Sequence, residues 1–152
     1  MCEYYHSHEE VSMSAQDVLA FVHENPACIF STMDGDQPRA RGFLSVLFDD
    51  GCIYFTTGAT KNVYKQIQKS PKVELCYLSR DFGRMLRVSG EIEVIDDREK
   101  KQKLLDERDY LKSLKGNADD PLFILLRLAH GTARFWTLEQ NMKENEIQPI
   151  EF

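Results

Sequence analysis

The sequence lacks the short motifs that most often identify an enzyme class. It contains no GxGxxG or GxxxxGK[ST] phosphate-binding loop, no HExxH zinc motif and no GxSxG nucleophile elbow. These absences leave no obvious hydrolase or metalloenzyme. The 152 residues are enough to bury the core of one domain, which we expect to span residues 1–152.

Long runs of one chemical character are also missing. The formal net charge is -6, and no tract is dense in lysine and arginine, so a nucleic-acid partner is not expected. No apolar run approaches about 18 residues and no signal peptide is evident, so no membrane partner is expected either. The four cysteines, Cys2, Cys28, Cys52 and Cys76, form no CxxC pair. Together these features predict a cytoplasmic protein with reduced thiols.

Histidine is scarce, and the four histidines show no metal-binding spacing within a structured element. Cys2, His6 and His8 are a set of metal-ligand side chains near the N-terminus, but a frayed, peripheral end over residues 1–13 is the simpler interpretation. We therefore expect no metal site.

The spacing of apolar residues predicts a mainly β protein with helical additions. Ser14 and Asp17 form a capping-box pattern that begins a helix ending near Asn25. Further helices are predicted over 60–70 and 96–114. Strands are predicted over 28–34, 39–48, 52–57, 72–79, 84–95, 122–129 and 132–138, with a bend at Gly90. Because most of these strands are joined by hairpin-length turns, we expect an antiparallel barrel of six or seven strands decorated by about three helices. The tail over 139–152 is expected to be peripheral.

Two arginines form the first candidate binding feature. In a strand, Arg39 and Arg41 leave the same face about 6.5–7 Å apart along the chain, and Phe43 shares that face. Arginine suits a phosphate or a carboxylate because its planar guanidinium donates two parallel hydrogen bonds. The solvated face of an edge strand would give the same pattern, so both interpretations remain open.

The segment YFTTGATKN forms a second candidate feature. Thr60 is the predicted N-cap of helix 60–70, whose first N–H groups point outward and suit an anion. Thr56 and Thr57 add hydroxyl groups, and Lys61 adds a positive charge where the helix dipole disfavours one. An ordinary helix cap with a solvated lysine is the alternative.

A third feature lies in the last predicted strand. Arg134 and Trp136 share one strand face, where an aromatic ring beside an arginine can flank a planar ligand. A tryptophan in the core or at an interface is the more ordinary interpretation. Taken together, the three features favour an anionic, planar ligand.

Four segments carry a resemblance to a known family: STMDGDQPRARGF, YFTTGATKNVYKQIQKSPKVELCY, LRVSGEIEVIDD and ARFW. In order and spacing they resemble the FMN-binding split-barrel proteins related to pyridoxamine 5'-phosphate oxidase, especially the small members grouped with nitroimidazole-resistance proteins. The resemblance covers about residues 14–138. It implies an antiparallel split barrel that forms a homodimer with FMN at the subunit interface.

By matched position, the resemblance also implies a set of cofactor contacts. The phosphate or ribityl chain would contact Arg39 and Arg41, and the phosphate would also contact Lys61 and Asn62. The isoalloxazine ring would lie along Phe43, Leu44 and Ser45, near Thr56 and Thr57, with Trp136 approaching from the partner subunit.

Two departures from the family pattern limit what the resemblance implies. Gly42 stands where many relatives carry proline. The chain ends in NEIQPIEF, whereas pyridoxamine phosphate oxidases proper end in an arginine- and histidine-bearing segment that binds the substrate phosphate. Oxidation of pyridoxamine phosphate is therefore not the expected reaction.

The resemblance implies an FMN-dependent oxidoreductase of a small molecule, with NAD(P)H as a candidate electron donor. No catalytic side chain is assigned, because the flavin itself carries the redox chemistry. A flavin-binding or sensor protein without turnover is the alternative. Other ligands of the same fold are a deazaflavin and haem, for which only His130 is a candidate axial ligand.

Overall fold

Ten strands and four α-helices make up the part of the chain that the computed structural model describes, residues 13–152 without the side chains of residues 114 and 115. The helices are α1 Ala15–Glu24, α2 Asn62–Lys69, α3 Arg98–Glu107 and α4 Asp109–Lys115. The strands are β1 Ala27–Asp34, β2 Gln37–Leu44, β3 Val46–Leu47, β4 Ile53–Gly58, β5 Lys72–Leu78, β6 Arg84–Glu91, β7 Glu93–Ile95, β8 Phe123–Leu128, β9 Gly131–Thr137 and β10 Ile150–Glu151. Cys2, His6 and His8, the metal-ligand side chains near the N-terminus, lie outside the described residues.

The strands form two antiparallel sheets, ordered β10-β9-β6-β5-β1-β2 and β3-β4-β8-β7. β2 continues into β3 and β6 continues into β7, so both edge strands of the smaller sheet are continuations of strands in the larger one. The pairings therefore close a ring of six strands, in the order β1, β2–β3, β4, β8, β7–β6 and β5. β9 and β10 extend the larger sheet outside this ring. The predicted antiparallel split barrel is confirmed.

Two corner residues let a strand pass from one sheet to the other. Between β2 and β3, the amide of Ser45 donates to the carbonyl of Pro26 over 2.8 Å. Between β6 and β7, the amide of Ile92 donates to the carbonyl of Pro71 over the same distance. Each corner is thus fixed by the chain just before a neighbouring strand.

The sequence predicted uninterrupted strands over 39–48 and 84–95, and it placed the bend of the second at Gly90. That bend falls instead at Ile92. Gly90 has a different role, since a Cβ there would lie 2.7 Å from the backbone oxygen of His130. This glycine allows β6 and the β8–β9 turn to approach closely.

Two helix boundaries also differ from prediction. The predicted helix 96–114 is divided into α3 and α4 by Arg108, whose backbone is extended. The N-cap of α2 is Lys61 rather than Thr60. The amide of Lys61 donates to the carbonyl of Gly58 over 3.0 Å, and this turn delays helical geometry by one residue.

The barrel interior is packed by aromatic rings. Phe30 lies 4.9 Å from Phe43 and 5.1 Å from Phe55 between ring centroids. α1 adds Val18 and Phe21 to this core. α3 and α4 contribute to a separate apolar cluster, which contains Leu104, Leu105, Leu111, Tyr54 and Phe123. No helix within residues 13–152 is long and apolar enough to cross a membrane.

The tail packs back onto the barrel. β10 pairs with β9, and Phe152 and Gly131 exchange two backbone hydrogen bonds of 3.1 Å. Ile147 is buried. The tail therefore covers part of the larger sheet.

Candidate functional site

A groove of about 860 Å³ separates the β1–β2 hairpin from helix α2. Arg39 and Arg41 contribute to it from β2. Side chains spaced three or four residues apart on one face of α2 form the opposite wall: Asn62, Lys65, Gln66 and Lys69. The groove therefore gathers four cationic side chains and one acidic side chain, Asp34.

Arg41 is the fixed cation of this groove. Its Nη1 donates to the carbonyl of Phe30 over 3.0 Å and to Oγ1 of Thr32 over 2.8 Å. Its Nη2 donates to Oε1 of Gln66 over 2.8 Å, and the buried Thr32 hydroxyl donates to the same oxygen over 2.7 Å. These bonds join the hairpin to α2.

No acidic side chain of the described residues neutralises Arg41. Burial lowers the pKa of its guanidinium from the usual value. Within residues 13–152, the arginine ion pairs closer than 4 Å involve Arg39, Arg87, Arg98 and Arg127, but not Arg41. An anionic ligand would stabilise a half-buried guanidinium that forms no ion pair.

Arg39 differs from Arg41 although both leave the same face of β2. Its side chain is 53% exposed, and its Nε makes a 3.3 Å ion pair with the exposed carboxylate of Asp34. An exposed pair of this kind is weak. Arg39 is therefore free to turn toward a ligand, whereas Arg41 is held in place.

Thr57 supplies an unpaired hydroxyl. Its Oγ1 is the one buried side-chain nitrogen or oxygen atom within the described residues that has no hydrogen-bond partner. Thr57 follows Phe55 on the interior face of β4, whereas Thr56 is half-buried on the other face. Leaving a buried hydroxyl unpaired costs about 1–3 kcal/mol. Thr57 is not among the residues that line the groove.

Of the two candidate residues at the start of α2, one lines the groove and the other does not. Asn62 lines the groove. Lys61 is an exposed N-cap residue whose side chain makes no capping bond, and it is not among the lining residues. The sequence analysis missed Lys65 and Lys69 as cations of the groove. Their spacing from Asn62, three and seven residues, is the helical signal that would have found them.

The candidates on β2 and β9 lie on both sides of the larger sheet. Phe43 packs inside the barrel, whereas Leu44 is 49% exposed on the outer face. Trp136 lies opposite Met85 on that outer face. Ser45 is buried at its corner, where its hydroxyl lies 2.6 Å from the hydroxyl of Tyr77.

The outer face of the larger sheet carries an exposed apolar patch. Its members are Ile29, Met33, Leu44 and Leu78, which are 38% to 49% exposed. Cross-strand pairing extends the patch from Leu78 to Met85 and from Met85 to Trp136. Apolar patches of this kind commonly mark an interaction surface.

Among the described residues, those that line the groove include no cysteine and no histidine. Burial raises the pKa of the Cys28 thiol to about 11, so it stays protonated near neutral pH. The histidine, cysteine, aspartate and glutamate side chains of residues 13–152 form no group that could hold a metal ion. His130 is exposed in the β8–β9 turn and does not line the groove.

The closed six-strand ring and the groove beside it define a split-barrel protein with a cationic cleft. The sequence model of the pyridoxamine 5'-phosphate oxidase family matches residues 14–137. The chain therefore belongs to this family. No curated protein matches the chain.

Three solved structures illustrate the relationship. A NimC/NimA family protein from Clostridium acetobutylicum is 28% identical, with a TM-score of 0.76 over 91% of this chain and 93% of that one. General stress protein 26 from Bacillus anthracis is 17% identical, with a TM-score of 0.68 over 80% and 92%. A pyridoxamine 5'-phosphate oxidase-related, FMN-binding protein from Nostoc punctiforme is 15% identical, with a TM-score of 0.57 over 90% and 95%. The last two show the shared fold alone.

Proposed function

We propose that the protein is a homodimeric FMN-binding flavoprotein that oxidises or reduces a small molecule. The observation that carries this proposal is the groove between the β1–β2 hairpin and α2. It holds the half-buried Arg41, which forms no ion pair with a carboxylate of residues 13–152. A flavin phosphate is the anion that family membership favours, since FMN-binding proteins are among its relatives.

The residues present are suited to this cofactor. Arg39 and Arg41 would hold the phosphate, together with Asn62, Lys61 and the groove lysines Lys65 and Lys69. Because Arg41 uses Nη1 and only part of Nη2 on protein acceptors, its Nε–H and one Nη2–H are left for a ligand.

Fewer polar side chains are proposed to contact the isoalloxazine ring than the phosphate. The buried hydroxyl of Thr57 has no hydrogen-bond partner among residues 13–152, and Thr56 is its neighbour along β4. Phe43, Leu44 and Ser45 would follow the isoalloxazine ring where β2 turns into β3. The flavin supplies the redox chemistry, while the protein binds it, orients it and excludes water.

A second copy of the chain is the proposed partner. The apolar outer patch would be covered by the same patch of that copy, as a two-fold dimer requires. Trp136 lies at the end of this patch, so dimerisation would carry it toward the partner's flavin. The site would then be complete only in the dimer.

The proposed activity is electron transfer between NAD(P)H and a small acceptor, without pyridoxamine phosphate oxidation. The free thiols of Cys28, Cys52 and Cys76 suit a reducing cytoplasm. Steady-state oxidation of NAD(P)H in the presence of acceptors separates an enzyme from a flavin-binding sensor. Bound FMN with no turnover of any donor would favour the sensor.

The first test is the absorbance spectrum of the freshly purified protein, with mass spectrometry of any small molecule that heat releases. We expect flavin bands and the mass of FMN. A protein that is colourless and stays so after FMN is added would overturn the proposal. A Soret band would instead identify haem, and a deazaflavin mass would identify that cofactor.

A further inference from the structure

A second cavity, of about 500 Å³, lies between the outer face of the larger sheet and the tail segment 144–149. Its floor is formed by side chains that pair across β5, β6 and β9: Glu74, Arg87, Ser89, Thr132 and Arg134. The tail covers them with Glu144, Asn145, Ile147, Gln148 and Pro149. None of these residues belongs to the groove proposed for the FMN phosphate.

Two arginines face each other on this floor. Arg87 and Arg134 occupy directly paired positions on β6 and β9. Like charges at such positions repel, so the pair is stabilised when an anion lies beside it. The side chain of Arg87 already forms an ion pair with the tail carboxylate of Glu144.

Arg134 has no such pair. Within residues 13–152, no carboxylate lies within 4 Å of its guanidinium. The cavity therefore contains one arginine occupied by the chain's own carboxylate and a second arginine beside it that is not. A carboxylate bound between them would engage both.

We propose that this cavity binds the carboxylate of a small organic acid between Arg87 and Arg134, and that Glu144 occupies Arg87 when the acid is absent. The proposal deepens the proposed function, because it assigns the substrate class of the flavin site. Arg134 and Trp136 leave the same face of β9, about 6.5–7 Å apart along the strand. Trp136 does not line the cavity, but an acid held by Arg134 would lie two residues along β9 from the tryptophan that the proposed dimer carries toward the partner's flavin.

The surrounding charges select the kind of anion. Glu74 lies on the same floor, and Glu144 lies above it. Two carboxylates beside two arginines leave no net positive charge, which disfavours polyphosphates. A monocarboxylate that displaces Glu144 from Arg87 replaces one negative charge beside the two arginines with another, so their charges stay balanced.

Benzoate is the probe for this site, titrated into the purified protein and followed by ligand-observed NMR. Glu144→Gln removes the internal competitor, so benzoate should bind about two- to fivefold more tightly. Arg134→Gln and Arg87→Gln should each weaken binding at least tenfold, because each removes a charge-assisted hydrogen-bond donor. Arg134→Lys keeps the charge without the planar fork and should fall between wild type and Arg134→Gln.

Arg98→Gln is the matched control. Arg98 is an exposed arginine that pairs with Asp119, and it does not line the cavity. Its loss should leave benzoate binding unchanged. Circular dichroism of every variant checks folding, and Arg134→Lys keeps the test valid if Arg134→Gln does not fold.

The outcomes are distinct. Equal affinity in wild type and both arginine variants would overturn the site, as would absence of binding to both wild type and Glu144→Gln. Weaker binding to Glu144→Gln would overturn the displacement of the tail carboxylate. The FMN content of each sample is measured separately. Benzoate binding with the predicted variant pattern in a protein that stays free of flavin after FMN is added would support the cavity while rejecting the proposed function.

Discussion

Arg41 and Gln66 join the two walls of the groove, since Nη2 of the arginine donates to Oε1 of the glutamine over 2.8 Å. Arg41 belongs to β2 and Gln66 to α2, and Thr32 of β1 binds both of them. The groove is therefore held in shape by the protein itself. Such preorganisation lowers the entropic cost of binding a ligand.

The two arginines of β2 should respond differently to mutation. Arg41→Ala removes bonds to Phe30, Thr32 and Gln66, so we expect it to lower the free energy of unfolding by about 1–3 kcal/mol and also to weaken FMN binding. Urea denaturation of the cofactor-free protein measures the first effect, and titration with FMN measures the second.

Arg39→Ala is the matched comparison. Its exposed pair with Asp34 adds little to stability, so the free energy of unfolding should change by less than about 1 kcal/mol. FMN affinity should still fall about ten- to hundredfold, because a charge-assisted bond is worth about 1.5–3 kcal/mol. Unchanged FMN affinity in Arg39→Ala would remove this side chain from the phosphate site.

Removing the unpaired hydroxyl of Thr57 should affect the stability of the cofactor-free protein and its affinity for FMN in opposite directions. Thr57→Val keeps the shape of the side chain while removing a buried oxygen that has no protein partner. We expect the cofactor-free protein to be as stable as wild type or more stable, while FMN affinity falls about fivefold or more. Thermal melting without cofactor and FMN titration measure the two effects.

Thr56→Val is the comparison variant rather than a neutral control, because Thr56 also belongs to the proposed ring site but leaves the other face of β4 and has no unpaired buried oxygen. Any FMN affinity that Thr56→Val loses measures a contact other than the unpaired hydroxyl of Thr57. If Thr57→Val destabilises the cofactor-free protein and leaves FMN affinity intact, the Thr57 hydroxyl has a structural role. It would then not belong to the cofactor site.

The sequence predicts those features that depend on neighbours along the chain. Period-two alternation correctly placed Arg39 and Arg41 on one face, and hairpin-length turns led to the antiparallel barrel. The fixed state of Arg41 was not predictable in this way, because it depends on Gln66 of a helix 25 residues away. The break at Ile92 likewise depends on a bond to Pro71, which no local pattern contains.

The outer apolar patch predicts how the oligomeric state can be broken. Leu78 is 38% exposed at the centre of the patch, and Leu78→Glu would place a charge in the proposed dimer interface. We expect this variant to be a monomer by analytical ultracentrifugation and to lose bound FMN. Its circular dichroism spectrum should match that of the wild type, because the side chain already contacts water in the single subunit.

Val94→Glu is the control for that experiment. Val94 is 48% exposed, but it lies on β7 of the smaller sheet. The substitution introduces the same charge away from the proposed interface, so the dimer and its FMN should remain. A wild-type protein that is itself monomeric would contradict the proposed assembly directly.

The buried thiol of Cys28 predicts a loss of stability at alkaline pH. Burial raises its pKa from 9.0 to about 11 in the folded protein, so the unfolded chain releases this proton first. Between about pH 9 and 11 the folded state therefore binds more protons than the unfolded state, and the free energy of unfolding falls as pH rises. The contribution of Cys28 to the free energy of unfolding is fully present below about pH 9. Above that pH, the free energy of unfolding falls with a slope that approaches about 1.4 kcal/mol per pH unit.

Urea denaturation of wild type and Cys28→Ala between pH 8 and about 10 isolates the effect, because the buried tyrosines contribute mainly at higher pH. The wild type should lose stability more steeply than Cys28→Ala, and parallel curves would show that the thiol of Cys28 titrates alike in both states.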